Sequence, residues 1–465
     1  VVTEAATGRG AARWITVVSW TAIVAVVVWI AVAPGPDIGR AVELLDAEIG
    51  ARTGLALRAL GDDDDRPVRR EILRLDAGDA GMRQRAAVLA GEVWAVEHAA
   101  SRVAWAATLA AEAGGETARV QEVLASLYPA SPPAGETQAA RVARLTADDR
   151  ALLLRNLGWY GRLATSPEGG DPSARAALIA SGHRTLAALG TIVAFLVLGG
   201  LAGAALLLLG LVLALLGRLR LSHEVEPGRE SHGALTFALW LVGVEVFFRF
   251  AARGLALQGA AARLGMFAVE IATLGVLAVG VLRGVGWTDL RRRIGWHRGA
   301  GFLREAGAGL LGTLVDAALT GSGLLVWWVA STAAGHQRAP GEGAHPIVVE
   351  LVRGAAPDAA VIVLLGAVAA PLVEETMFRG VLYGHLREAT ARWPRVLTVG
   401  ASALVSSVVF ASLHPQGWTA VPALTGSGIA LALVREWRGS LIAPMVAHAV
   451  WNGSLMVLVR VALAP

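Results

Sequence analysis

The chain has 465 residues, of which 55% are hydrophobic and 17% charged, and its mean hydropathy is +0.56. That balance excludes an ordinary soluble globular protein and points to a polytopic membrane protein. Cysteine is absent, so disulfides, thiolate nucleophiles and Cys-ligated metals are excluded. The net charge of +4 is carried by arginines scattered through the chain. No basic run is interleaved with aromatics, so nucleic-acid binding has no support. There is no lysine at all, a usage associated with GC-rich bacterial genomes.

In chain order, residues 14–33 are apolar and long enough to span a bilayer. Arg9 and Arg13 precede them, which keeps the N-terminus in the cytoplasm. The length of the segment and the lack of a small-residue cleavage site make residues 1–33 an uncleaved anchor. Residues 34–184 are polar and are expected to form an extracytoplasmic helical domain. Apolar residues recur there at helical spacing in 86–111 and 141–163, with breaks at Ser131-Pro132-Pro133 and at 167–172. The run Asp62-Asp63-Asp64-Asp65 lacks the alternating ligands and the glycine of a calcium loop and reads as a solvated turn. This domain offers no catalytic group, and it is the candidate surface for an extracytoplasmic partner.

Residues 185–465 form the multi-pass part, an all-α helix bundle. Apolar runs at 185–216, 234–248, 264–282, 306–333, 359–386, 396–413, 419–434 and 441–459 bring the expected total to about nine spans. Gly199, Gly200 and Gly203 suit close helix packing. Glu245 and Arg249, four apart at a span end, read as an interfacial pair. Glu270 and Asp316 are carboxylates inside spans. The connector 284–296 carries Arg291, Arg292 and Arg293 and belongs on the cytoplasmic side. Residues 346–353 are amphipathic and are expected at the interface.

The densest chemistry lies in the last hundred residues. Glu374 and Glu375 sit together in an apolar helical run, where an ionised carboxylate is costly and marks a functional site by default. Arg379 is four residues beyond Glu375, the spacing of a helical ion pair; Glu374 points about 100° away from its neighbour. Such a pair can merely fix helix packing, or it can leave Glu374 for chemistry. His414 closes the next span, four residues after Phe410. His448 and Asn452 are four apart and share a helix face. Three polar sets in neighbouring spans each lose hydration unless they meet. A carboxylate beside an imidazole can hold and deprotonate water. An imidazole with a carboxamide can donate to an oxyanion. Together these are the parts of a peptide-bond hydrolase that needs no covalent nucleophile.

The ordered triple Glu374-Glu375-x-x-x-Arg379, Phe410-x-x-x-His414 and His448-x-x-x-Asn452 resembles the three signature motifs of the CPBP intramembrane proteases, which include the CAAX prenyl endopeptidases and bacteriocin-processing enzymes. The likeness centres on residues 364–458. It implies Glu374 as the general base, His414 as a holder of the water, and His448 with Asn452 as the oxyanion hole. Glu375, Arg379 and Phe410 would support the site. It also implies a membrane-associated peptide or protein substrate and a place in the bacterial inner (cytoplasmic) membrane.

The donor set Glu374, His414 and His448 matches a His₂Glu zinc site, but no His-Glu-x-x-His helix is present. The reading adopted is therefore a glutamate–water mechanism without cofactor, with zinc as the alternative. Two other classes remain open. One is a non-catalytic scaffold or immunity-type protein that keeps the motifs. The other is an ion-coupled transporter, which would show inverted repeats and midplane charges in both halves; no such repeat is visible.

Overall fold

In the computed structural model the chain is helical, with no strand among the described residues. The structure describes residues 2–32, 39–61, 66–93, 96–223, 225, 232–254, 260–336 and 343–463. The aspartate run 62–65 lies outside them, as do the side chains of Glu245 and Arg249. Contacts divide the chain into two compact units. One is Val1–Asp37 with Ile192–Val457, the other Ile38–Thr191 with Leu458–Pro465.

The unit built on Ile38–Thr191 has its own apolar core, centred on Trp159, Tyr128, Tyr160 and the leucines of short helices. The run 141–163, where apolar residues recur at helical spacing, is three helices: Gln138–Ala143, Ala147–Leu157 and Trp159–Thr165. Two local signals divide it. Thr146 accepts from the Asp149 N–H while Asp149 caps the Thr146 N–H, a reciprocal cap that starts a new helix. Gly158 then stands at φ 58°, a left-handed conformation that favours glycine and stops that helix. Likewise the run 86–111 is divided between Ala80–Val93 and Val96–Ala113. Arg52 is buried here, paired with Glu48 at 2.5 Å and donating to the Ala462 carbonyl at 3.3 Å. Thr185 donates to the same carbonyl at 2.6 Å.

Among the described residues six helices are long and apolar enough to cross a membrane: Pro172–Leu215, Ala262–Leu282, Phe302–Ala333, Ala356–Ala389, Arg395–Ser412 and Ile442–Leu463. This is a multi-pass membrane protein. Trp14–Ile30 and Gly233–Val244 are shorter apolar helices. The expected span at 419–434 is the helix Val421–Arg438. It is not among the six, because its last turn carries Arg435, Glu436 and Arg438. Those charges have partners. Glu436 accepts from Tyr383 Oη at 2.8 Å and from Arg387 Nε. Arg438 holds Glu305 at 2.8 Å.

The helix ends of this membrane unit meet in two groups. In the first, the N–H groups of Ser222 and His223 donate to the Glu436 carbonyl, Leu441 N–H donates to the Gly295 carbonyl, and Ser440 Oγ to that of His297. Trp20 of the first helix stacks near His385 of the same group, at 6.2 Å. In the second group Arg263 pairs with Glu350 at 2.5 Å and with Asp358 at 3.6 Å. The helices between run from one group to the other.

Small residues let these helices approach closely, the packing mode that works where lipid removes the hydrophobic drive. A Cβ on Gly203 would overlap the Leu314 carbonyl, one on Gly323 that of Pro422, and one on Gly426 that of Leu319. Gly203→Val should therefore lower the thermal unfolding midpoint of the purified protein, the overpacking costing about 1–3 kcal/mol. Gly210→Val should not, since open space surrounds that position. Equal midpoints for the two variants would contradict this packing.

Candidate active site

The site is built on the helix Ala356–Ala389, and Pro371 explains its shape. Proline has no N–H, and its ring crowds the carbonyl four residues back. The turn Leu365–Ala369 widens into a π-helical stretch just before it, which relieves the clash and loosens a backbone carbonyl. Asn452 Nδ2 donates to the carbonyl of Gly366 within that turn, at 3.0 Å. A second π stretch, Glu375–Leu382, follows, and every residue in it is buried.

Glu375 is fully buried, and its Oε1 accepts twice. Arg379 Nη1 donates to it at 2.9 Å and His448 Nδ1 lies 2.9 Å away. A carboxylate oxygen only accepts, so this contact puts a hydrogen on His448 Nδ1. Arg379, 1% exposed, also donates Nη2 to the Gly428 carbonyl at 3.3 Å. Its guanidinium lies 4.5 Å from the centre of the Phe410 ring, a cation–π contact. Thr376 is tied to the connector by Trp296 Nε1 at 3.0 Å.

Glu374 differs from its neighbour. It retains 24% exposure, and its Oε2 is 3.9 Å from His448 Nε2. That oxygen has no hydrogen-bond partner among the described residues. His414 Nδ1 sits 2.7 Å from the Phe410 carbonyl. A carbonyl only accepts, so Nδ1 carries the hydrogen and the neutral ring keeps a lone pair on Nε2. Phe410 packs between the groups: its ring is 4.3 Å from His414, 5.1 Å from Phe378 and 6.2 Å from His448.

The structure thus brings Glu374, Glu375, Arg379, Phe410 and His448 together, with His414 edge-on against Phe410. Asn452 lies on the same helix as His448, with one amide hydrogen committed to Gly366 and a second left over. Two carboxylates outside the motifs neighbour this group. Asp316 is fully buried, accepts from Thr320 at 2.9 Å and interacts electrostatically with His448 and Arg379. Glu270 interacts with Glu374. Their sequence signal was an acid inside an apolar span, without spacing to tie it to the motifs. His345 lies beside His414; burial pushes its imidazole down to about 4, and His414 acts the same way. Among the described residues no three His, Asp or Glu side chains are grouped so as to hold a metal ion. The set Glu374, His414 and His448 is not drawn together into such a group in this arrangement.

A multi-pass helical bundle with an unpartnered carboxylate facing an anchored imidazole defines the class of site. Residues 356–454 match the family model described as "Type II CAAX prenyl endopeptidase Rce1-like". Over 87 residues the chain is 31% identical to the curated "Membrane-embedded CAAX protease MroQ" of Staphylococcus aureus (strain USA300). The match covers 19% of this chain and 34% of that one, so the chain spans about a third of the length of that relative. No solved structure matches. Over this segment the chain is similar to that family, in the region where its three motifs lie.

The buried node predicts an asymmetry between the adjacent glutamates. Glu375→Gln leaves the Arg379 charge without its counterion and should destabilise the protein by about 3–5 kcal/mol. Glu374→Gln breaks no short hydrogen bond and should leave the unfolding midpoint near wild type. Thermal unfolding of both variants in detergent checks this; equal destabilisation would contradict it.

Proposed function

We propose that this site hydrolyses peptide bonds in membrane-associated protein or peptide substrates, using water activated by Glu374 and His414, in a protein of the bacterial inner membrane. The observation that carries the reading is Glu374 Oε2. It is a buried carboxylate oxygen with no hydrogen-bond partner among the described residues, 3.9 Å from an imidazole nitrogen. An acceptor left without a donor at membrane depth costs free energy that a bound water or substrate would recover.

The donor and acceptor inventory fits such a reaction. Water has two hydrogens, and the site offers two acceptors, the Glu374 carboxylate and the His414 Nε2 lone pair. Held by both, the water turns its own lone pair toward a substrate carbonyl. As its oxygen bonds to that carbon, Glu374 takes one proton. The carbonyl oxygen becomes an oxyanion, and the spare amide hydrogen of Asn452 is a donor for it. His448 can be the second donor when Nε2 also carries a hydrogen, with Glu374 and Glu375 compensating its charge. Glu374 then passes its proton to the leaving nitrogen as the C–N bond breaks, yielding acid and amine. Glu375 and Arg379 hold His448 in register, and Phe410 spaces the two imidazoles.

Purified wild type should cleave members of a quenched membrane-peptide library. Glu374→Gln should lose about 10²–10⁴-fold in rate, the range of a general base. His448→Ala should fall as well, and a strong chelator should leave the wild-type rate unchanged. Full activity in Glu374→Gln would remove the base from this scheme. Loss of activity with the chelator, restored by zinc, would replace it with metal-assisted hydrolysis.

A further inference from the structure

The two ends of the glutamate helix are not equivalent. From Glu375 to Tyr383 every residue is buried. This closed layer is stitched across the bundle by Arg379 on Gly428, by Tyr383 and Arg387 on Glu436, and by Trp296 on Thr376. A cavity of about 480 Å³ opens on that side, lined by His223, His297, Gly380, Gly384, His385 and others. None of Glu374, His414, His448 or Asn452 lines it. Toward the other end the packing loosens. Glu374 is 24% exposed, His414 and Asn452 are half-buried, and Leu364 and Val368 are exposed. His414 itself belongs to the 413–420 segment at that end, where Trp418 is 63% exposed. His345 approaches it from the 343–353 segment.

Arginine distribution gives these ends a side. Residues 217–223, 283–301, 387–395 and 435–438, which meet at the closed end, carry twelve arginines. Residues 249–254, 260–263, 343–358 and 413–420, at the open end, carry four, and 413–420 has none. Arginine excess in short loops marks the cytoplasmic face.

We infer that the site is reached from the extracytoplasmic half of the bilayer, through the gap between the 343–358 and 413–420 segments. Its substrate is then a polypeptide segment presented at that face, not a cytoplasmic C-terminus. The substrate clause rests on the protease reading above; the sidedness does not. A carboxylate that must keep its water supply in a membrane needs a wet path, and the closed layer leaves that path on one side only. Substrate selection follows from the same geometry, because a scissile bond must lie deep enough on the outer side to meet Glu374.

The natural absence of cysteine makes the test direct. Single variants Trp418→Cys and Arg292→Cys are expressed in spheroplasts and treated with a membrane-impermeant maleimide before and after permeabilisation. The expected result is labelling of Trp418→Cys in intact spheroplasts, and of Arg292→Cys only after permeabilisation. The reverse pattern, or equal labelling of both in intact spheroplasts, would overturn the assignment. A second arm offers reconstituted protein two single-span peptides, each with candidate bonds at one end only. Cleavage at the extracytoplasmic end supports the substrate class, and cleavage at the cytoplasmic end overturns it. If neither is cleaved by folded protein, the protease reading and its substrate clause fall together, while the labelling still decides the face.

Discussion

One oxygen organises the membrane unit. Glu375 Oε1, fully buried, takes hydrogens from both Arg379 and His448 at 2.9 Å. In a low-dielectric interior neither the carboxylate nor the guanidinium is tolerable alone, so the two must remain together. Satisfying that requirement fixes three helices. Arg379 reaches the Gly428 carbonyl on Val421–Arg438, its face is covered by Phe410 from Arg395–Ser412, and His448 comes from Ile442–Leu463. The ion pair read from sequence as support for the site is also what orients one of its imidazoles.

Glu375 is held through Oε1 by Arg379 and His448, whereas its neighbour has no such tie. Glu374 lies about 100° round the helix, and its Oε2 has no hydrogen-bond partner among the described residues. The widened turns on either side contribute to this. Pro371 forces the first, and the carbonyl it loosens at Gly366 is taken up by Asn452. One residue that breaks helix rules thereby ties the asparagine helix to the glutamate helix. Local departures of this kind gather at functional sites.

The helical fold and the components of the candidate site were both legible in the sequence, but not the contacts that join them. An adjacent pair of acids in an apolar run, with arginine at i+4, histidine four after phenylalanine, and histidine four before asparagine, are all short-range patterns that helix geometry converts directly into shared faces. The links between them are tertiary. Nothing in spacing pairs Glu375 with His448 in preference to Glu374, or sends the Asn452 amide to a backbone carbonyl. Asp316 and Glu270 were visible only as acids in apolar spans. In the polar unit, periodicity overran its own punctuation. The cap at Thr146 and the left-handed Gly158 divide a run that reads as continuous when only apolar spacing is followed. The charged last turn of Val421–Arg438 has the converse effect, since a helix whose charged side chains are held by neighbours looks too polar to span when taken alone.

The central claim is that Glu375 fixes the proton on one named nitrogen and so aims the other at Glu374. The most direct measurement is the side-chain ¹⁵N spectrum of histidine-labelled protein, with the His448 resonances assigned by their loss in His448→Gln. The account predicts a protonated Nδ1 at His448 in the wild type, and a changed Nδ1 signal in Glu375→Gln but not in Glu374→Gln. A bare Nδ1 in the wild type, or a spectrum indifferent to Glu375, would contradict it.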